Sequence, residues 1–316
     1  MEKEESKKKL VVLTGPTAVG KTGLSLSLAK AVGGEIISAD SMQVYRHMDI
    51  GSAKIRTEEM EGVPHFLIDE LEPSEEFNVL IFQQKAKRYM EEIYERGHIP
   101  VLVGGTGFYI QAVLYDIDFT DNQDEQGLRK KLEQKAHEKG AQWLYERLKE
   151  VDPASCEVIH ANNVKRVIRA LEYYHLTGQP ISTHNQEQRK KESPYDFSYF
   201  VLNDERQKLY DKIDRRVETM LADGLVEEVA RLKAMGYNRS FVSMQGIGYK
   251  EILDYLDGEI GLEEAVYRIK RDTRHFAKRQ LTWFKREKEV IWVNKPNFHD
   301  DDQEILSYMI AKIKHT

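Results

Sequence analysis

Cysteine is almost missing from this sequence: Cys156 is the only one among 316 residues. One thiol excludes an intrachain disulfide and any zinc site built from several thiolates, and leaves an ordinary buried cysteine as the expectation. Long apolar runs are missing too. Nothing approaches the ~18 residues of a membrane span, and the N-terminal MEKEESKKK is charged where a signal peptide would carry an apolar core. We therefore expect no membrane partner and a cytoplasmic location. An overall basic character is also absent, since 47 Lys and Arg face 53 Asp and Glu for a net charge of −6. Any nucleic-acid surface has to be local. There is no internal repeat, and no low-complexity tract beyond the solvated N-terminal tail. A hydrophobic content of 41% is enough for a real core, in a chain between one large domain and two ordinary ones.

The most specific feature present is LVVLTGPTAVGKTGLSLSLAK, Leu10 to Lys30. Gly15, Gly20, Lys21 and Thr22 satisfy G-x-x-x-x-G-K-[ST], with an apolar strand pattern before them and amphipathic Leu24 and Leu28 after. The candidate phosphate loop is Gly15, Pro16, Thr17, Ala18, Val19, Gly20, Lys21 and Thr22, whose backbone N–H groups, absent at Pro16, can converge on an anion at a helix N-terminus. Lys21 can reach a terminal phosphate, and the Thr22 hydroxyl can sit on a magnesium ion. A di- or triphosphate ligand follows.

Apolar runs at Leu10–Leu13, Glu35–Ser38, Phe66–Ile68 and Ile99–Val103 alternate with helical patterns at Gly23–Ala31 and Val79–Arg96. That alternation predicts an α/β fold, a P-loop NTPase-like parallel sheet flanked by helices, with ligands at the carboxyl ends of the strands. Runs at Phe197–Leu202 and Val290–Val293 can return to the same sheet. From about Asp118 to Pro194 a charged, helix-rich stretch is bounded by the polar segments DFTDNQDEQG and RKKESPYD. The expected division is a core of residues 1–117 and 195–316 and a helical insertion domain of residues 118–194. In the insertion, Val164, Val167, Ile168, Leu171 and Tyr174 share one helical face, Lys165, Arg166 and Arg169 lie outside it, and Gly178 is the stop.

A second long helical pattern carries Leu262, Val266, Ile269, Thr273, Phe276, Gln280 and Phe284 on one face, opposite Arg268, Arg271, Arg274, His275, Lys278 and Arg279. Nine basic residues against three acidic ones lie between Arg268 and Glu289. Like charges at helical spacing repel, so this run calls for a compensating partner, and a polyanion is the natural candidate; a solvated helix face is the alternative.

Two carboxylates compete for a role beside the phosphate. Asp69, in PHFLIDELEP, imitates the strand-end magnesium carboxylate of a kinase or ATPase, although its surroundings read equally as a surface loop. Asp40 follows a strand expected to lie beside the glycine-loop strand, so its side chain would open into the same crevice. Ser38, Ser41, Gln43 and Tyr45 add hydrogen-bonding groups suited to a flat polar substrate such as a base, whereas a bare capping role for Asp40 is the alternative. The third strand ends in Gly104, Gly105, Thr106 and Gly107, a close backbone approach carrying a hydroxyl.

GPTAVGKT, SADSMQVYRHMDIGSAK, PHFLID, VGGTGFYI, VKRVIRALEYYHLTGQPIS, QGIGYKE and TRHFAKRQLTWF, in this order, resemble the bacterial tRNA dimethylallyltransferase family over nearly the whole chain. The glycine loop is shared widely; the Asp40 and Thr106 motifs and the basic C-terminal helix are specific to the family. The resemblance implies transfer of the five-carbon allylic group of dimethylallyl diphosphate to N6 of the adenosine adjacent to the anticodon, with a tRNA anticodon loop as partner, Mg2+ as cofactor and a monomer as the working unit. Lys21, the loop and magnesium on Thr22 would stabilise the departing diphosphate. Adenine N6 is a weak nucleophile, so Asp40 is expected to be the general base that takes its proton. By resemblance, Thr106 helps hold the diphosphate and Arg216 contacts it, with Arg215 the alternative. The target base has to be flipped out of its loop. Asp40, Ser41, Met42 and Gln43 would meet it, while Lys165, Arg166, Arg169, Lys278, Arg279, Gln280 and Trp283 grip the RNA. Core packing beside Phe284 is the other reading of Trp283. Transfer to free adenine nucleotide, a small-molecule kinase and an RNA-binding module without chemistry are the competing functions.

Overall fold

In the computed structural model, residues 7–119 and 126–314 are described. Residues 1–6 of the charged N-terminal stretch and residues 120–125 of DFTDNQDEQG lie outside the described residues. The chain divides into two compact units: a larger one made of two segments, ending at Leu114 and resuming at Pro194, and a smaller one, Tyr115–Ser193.

Leu10, Val11, Val12 and Leu13 form an unbroken buried run, as a strand covered on both faces requires. They belong to β1 (Lys8–Thr14), which runs through the glycine loop into α1 (Lys21–Val32) and on to β2 (Gly34–Ser38). β3 (His65–Phe66), α2 (Val79–Glu95), β4 (Ile99–Gly104) and α3 (Gly107–Leu114) complete the first segment. Every pairing is parallel, and the sheet order is β3-β2-β4-β1-β5-β6, where β5 is Tyr195–Asn203 and β6 is Val290–Asn294. The expectation that β2 lies beside β1 is therefore corrected: β4 separates them, pairing Val11 with Val101 on one side and Ile36 with Val101 on the other. The pattern of apolar runs dictates strands but carries no information about their order.

On one face, Leu24 and Leu28 of α1, Ile213 of α9 (Arg206–Ala222), Ala277 of α12 (Leu262–Phe284), and Ile305 and Met309 of α13 (Asp302–Lys314) join Val11, Phe200 and Leu202 in one apolar cluster. α10 (Leu225–Ala234) and α11 (Tyr249–Leu256) precede α12. Among the described residues no helix is long and apolar enough to cross a membrane.

The smaller unit consists of α4 (Gln126–Lys139), α5 (Ala141–Val151), α6 (Pro153–Cys156), α7 (Val164–Thr177) and α8 (Ile181–Gln188), around Leu144, Leu148, Val167, Ile168 and Ala170. Gly178 ends α7 in a left-handed conformation. Tyr173 is buried there and Tyr174 is not, reversing the expected face by one residue; buried Glu172 takes both nitrogens of the Arg129 fork, at 2.7 and 2.7 Å. Asp152 is also buried, accepting from Ser155 and Ser182, and so staples α6 to α8.

Candidate active site

The loop after β1 turns through φ angles of 148° at Gly15, 63° at Ala18 and 98° at Gly20. A side chain at Gly15 would also strike the Leu202 carbonyl, 2.5 Å from where Cβ would sit, so glycine is needed on two counts. The loop delivers the first N–H groups of α1, which have no intrahelical partner, to one point. Lys21 folds over it, donating to the Gly15 and Pro16 carbonyls at 3.0 and 2.9 Å. Burial, and then the neighbouring Arg216 cation, push the Lys21 ammonium down to about 8, while the Asp40 carboxylate pulls the other way. Arg216 of α9 reaches the loop from a different element, its Nη1 3.4 Å from the Thr17 hydroxyl. Burial lowers its pKa too, again against the pull of Asp40. Arg215, the neighbouring candidate, is exposed and turns to the Asp211 carbonyl. Two desolvated cations beside converging N–H groups make an anion site.

β4 closes the gap between the ends of β1 and β2 because it ends in glycine. A Cβ on Gly104 would lie 2.2 Å from the Ala39 carbonyl oxygen. Thr14 Oγ1 donates to Gly104 O at 2.6 Å, and the Thr106 N–H donates to Ala39 O at 3.2 Å, so three strand ends are laced together. Asp40 leaves β2 with Oδ1 accepting the Met42 N–H at 2.8 Å, an Asx turn that fixes the carboxylate and leaves its second oxygen without a partner among the described residues. The capping alternative thus holds for one oxygen only. Ser38 Oγ meets Gln43 Oε1 at 2.9 Å, and half-buried Ser41 and Met42 complete the turn. The hydroxyls of Thr106 and Thr22 likewise have no partner among the described residues. Glu228 of α10, buried, accepts from the N–H groups of Asp49, Ile50 and Gly51 and from the Tyr249 hydroxyl, and so holds the long loop that follows Asp40.

The expected place of Tyr45 beside Asp40 fails here, and Asp69 takes the surface-loop reading. Tyr45 is 1% exposed, packs edge-on against Phe77 and donates to the Glu75 carbonyl, so it belongs to the core. Asp69 is bound 2.6 Å from Lys54 Nζ, which also holds Asp49; its carboxylate is spent on a surface ion pair. Tyr45 follows Asp40 closely in sequence, but an isolated bridge from Tyr45 to Leu71 turns the chain away.

Gln280 of α12 points inward. Its Oε1 accepts the Thr17 N–H and its Nε2 donates to the Gly105 carbonyl, each at 2.9 Å, and the residue is 6% exposed. The structure thus puts it in the wall of the anion site and off the exposed surface expected for an RNA contact. Sequence spacing had it on the apolar stripe, which was the available signal. Lys278 and Arg279 are exposed. With His275, Thr282, Trp283 and Arg286 they line a depression of about 390 Å³. Trp283 stands edge-on to Phe108, 6.0 Å between ring centres, rather than packing in the core alone. In the smaller unit, Lys165 and Arg166 are exposed in the first turn of α7 and Arg169 is half-buried.

A parallel sheet with a phosphate-type loop after its first strand, a cationic pocket around that loop and a held carboxylate at a neighbouring strand end define a P-loop NTPase-like protein. Residues 43–287 match the family of IPP transferases. Over 301 residues the chain is 63% identical to a tRNA dimethylallyltransferase of Lachnoclostridium phytofermentans, covering 95% of this chain and 96% of that one. It is 52% identical to the protein of the same name from Acetivibrio thermocellus, over 96% and 97%. Among solved structures it resembles a full-length tRNA isopentenylpyrophosphate transferase from Bacillus halodurans, at 46% identity over 98% of each chain and a TM-score of 0.73. A eukaryotic dimethylallyltransferase acting on tRNA matches with a TM-score of 0.80 at 32% identity, over 91% of this chain and 74% of that one. The chain belongs to the tRNA dimethylallyltransferase, or IPP transferase, family.

Proposed function

We propose that this protein transfers the dimethylallyl group of dimethylallyl diphosphate to N6 of the adenosine adjacent to the anticodon of tRNA, releasing diphosphate. The observation that carries the reading is the free oxygen of Asp40, held by its Asx turn within electrostatic reach of Lys21 and Arg216. The diphosphate lies on the glycine loop, between Lys21, Arg216 and the Thr106 hydroxyl. As the allylic C–O bond breaks, the growing negative charge meets those cations and the loop N–H groups; as the C–N6 bond forms, the N6 proton passes to Asp40.

Among the described residues no group of three or more His, Cys, Asp or Glu could hold a metal ion. Magnesium keeps several of its waters and binds through substrate phosphates with few protein oxygens, so it needs no such cluster. Thr22 would supply that oxygen, and a bound ion would add charge neutralisation at the leaving diphosphate. Ser41, Met42 and Gln43 border the place of the flipped base. In the larger unit, Lys278, Arg279 and Trp283 provide cations and a ring for an RNA loop; in the smaller unit, Lys165, Arg166 and Arg169 are cations of the same chemistry. One chain carries the groups proposed for both substrates, so a monomer would suffice, working in the cytoplasm where tRNA is found.

Asp40→Asn separates the base from the turn, because the amide oxygen still accepts the Met42 N–H. Single-turnover transfer to tRNA should fall roughly 10²–10⁴-fold with tRNA affinity unchanged. Transfer at the wild-type rate would remove Asp40 from the proton's path. The kinase alternative is weakened by the capture of Asp69 by Lys54, and it requires turnover with ATP and no prenyl donor.

A further inference from the structure

We propose that Gln280 is a positioning residue of the donor site, setting the spacing between the glycine loop and the Thr106 turn and, through Thr17, the place of Arg216. The proposal rests on the reading of that site as a diphosphate pocket. One buried amide spans two walls: its oxygen takes the Thr17 N–H and its nitrogen gives to the Gly105 carbonyl, both at 2.9 Å. The reverse orientation would face donor with donor and acceptor with acceptor, so only one arrangement satisfies both partners.

Gly105 shows how tightly the amide is fitted. Its φ is not positive, so no backbone demand explains the glycine there; a Cβ would instead lie 2.2 Å from Gln280 Nε2. The missing side chain is the space the amide occupies. One turn along, Trp283 fills the corresponding space at Gly107, where a Cβ would lie 2.2 Å from the indole ring. Residues three apart share a helix face, so this stretch of α12 is keyed twice into the β4–α3 turn.

The consequence for the donor runs through Thr17. Its N–H is given to Gln280, so the loop's third position offers no N–H to an anion, and its hydroxyl is turned to accept from Arg216 Nη1. Cutting the Gln280 contact frees Thr17 and with it the partner of a guanidinium that has no other hydrogen bond among the described residues. Buried polar pairs of this kind are costly to break singly.

The test compares Gln280→Met, which keeps the shape and removes both bonds, and Gly105→Ala, which drives the amide out while leaving Gln280 in place. Affinity for dimethylallyl diphosphate, and separately for inorganic diphosphate with magnesium, is measured by calorimetry, and tRNA affinity by filter binding. Each variant should weaken both diphosphates about tenfold, raise KM for the donor and lower kcat/KM for the donor by at least as much, with tRNA Kd within about twofold. In the double variant Gly105→Ala/Gln280→Ala, donor affinity should be no lower than in Gln280→Ala, because the obstructed side chain is gone. Unchanged donor affinity in both single variants, or a weakened tRNA Kd with donor affinity intact, would overturn the proposal. Wild-type protein that binds diphosphate yet labels no tRNA would sink the prenyl-transfer reading while leaving the Gln280 comparison readable.

Discussion

The two halves of α12 carry similar basic sequences and opposite electrostatic fates. In the first half, Arg268 pairs with Glu264 and lies near Asp254, Lys270 pairs with Glu218, Arg271 with Asp272 and Arg274 with Asp214. In the second half and just beyond it, Lys278, Arg279, Lys285, Arg286 and Lys288 have no ion-pair partner among the described residues. The local excess of positive charge counted in the sequence is therefore partly neutralised by the protein itself. What remains uncompensated is concentrated where the same helix touches the anion site through Gln280. A charge count along a chain overstates a binding surface; the difference between the halves says which cations need an external partner.

That contrast can be broken most severely by reversing charge. Lys278→Glu/Arg279→Glu should weaken tRNA binding about 100-fold or more at low salt, whereas Lys278→Ala/Arg279→Ala should flatten the log Kd against log salt slope by about 1.4, one RNA phosphate per residue. An unaltered slope would mean that these cations face solvent only. The buried cation behind the wall behaves differently. Because the Lys21 pKa is lowered to about 8 and bound diphosphate favours its charged form, affinity for diphosphate should be full below that value and fall as pH rises above it, by up to about tenfold per unit. Calorimetry on Lys21→Met should give a weaker and pH-flat affinity over the same range; a wild-type curve equally flat from pH 7.5 to 9.5 would count against the lowered pKa. Smallest of all, Arg268→Ala/Arg271→Ala should change tRNA affinity less than about twofold and cost less than about 1 kcal/mol in stability for each exposed pair, read from urea melts.

Much of the site is legible in the sequence because its residues sit at the ends of elements whose periodicity is plain. The glycine loop, Asp40 and Thr106 each follow an apolar run, and the sheet brings the ends of such runs together. Strand order is not written there, so the separation of β2 from β1 by β4 came only from the pairing. Tyr45 lies in the core and not beside Asp40, because proximity in sequence does not say which way a loop turns, and Asp69 keeps the surface-loop reading; the Lys54 pairs and the bridge at Leu71 decide both. Arg216 could be told from Arg215 only by the geometry of α9, where one side chain points to Thr17 and the other to solvent. Gln280 carried a legible signal, an amide on an apolar stripe, and the partner that explains it is 263 residues away in the loop. Glu228 had none, since its partners are three backbone N–H groups of a distant loop.

The most direct test of prenyl transfer at this site is to incubate the protein with magnesium, radiolabelled dimethylallyl diphosphate and, in parallel, unmodified tRNA, AMP or no acceptor, and to follow the label into each. The account predicts label in tRNA alone, on the adenosine next to the anticodon. Label in AMP, or in no acceptor at all, would contradict it.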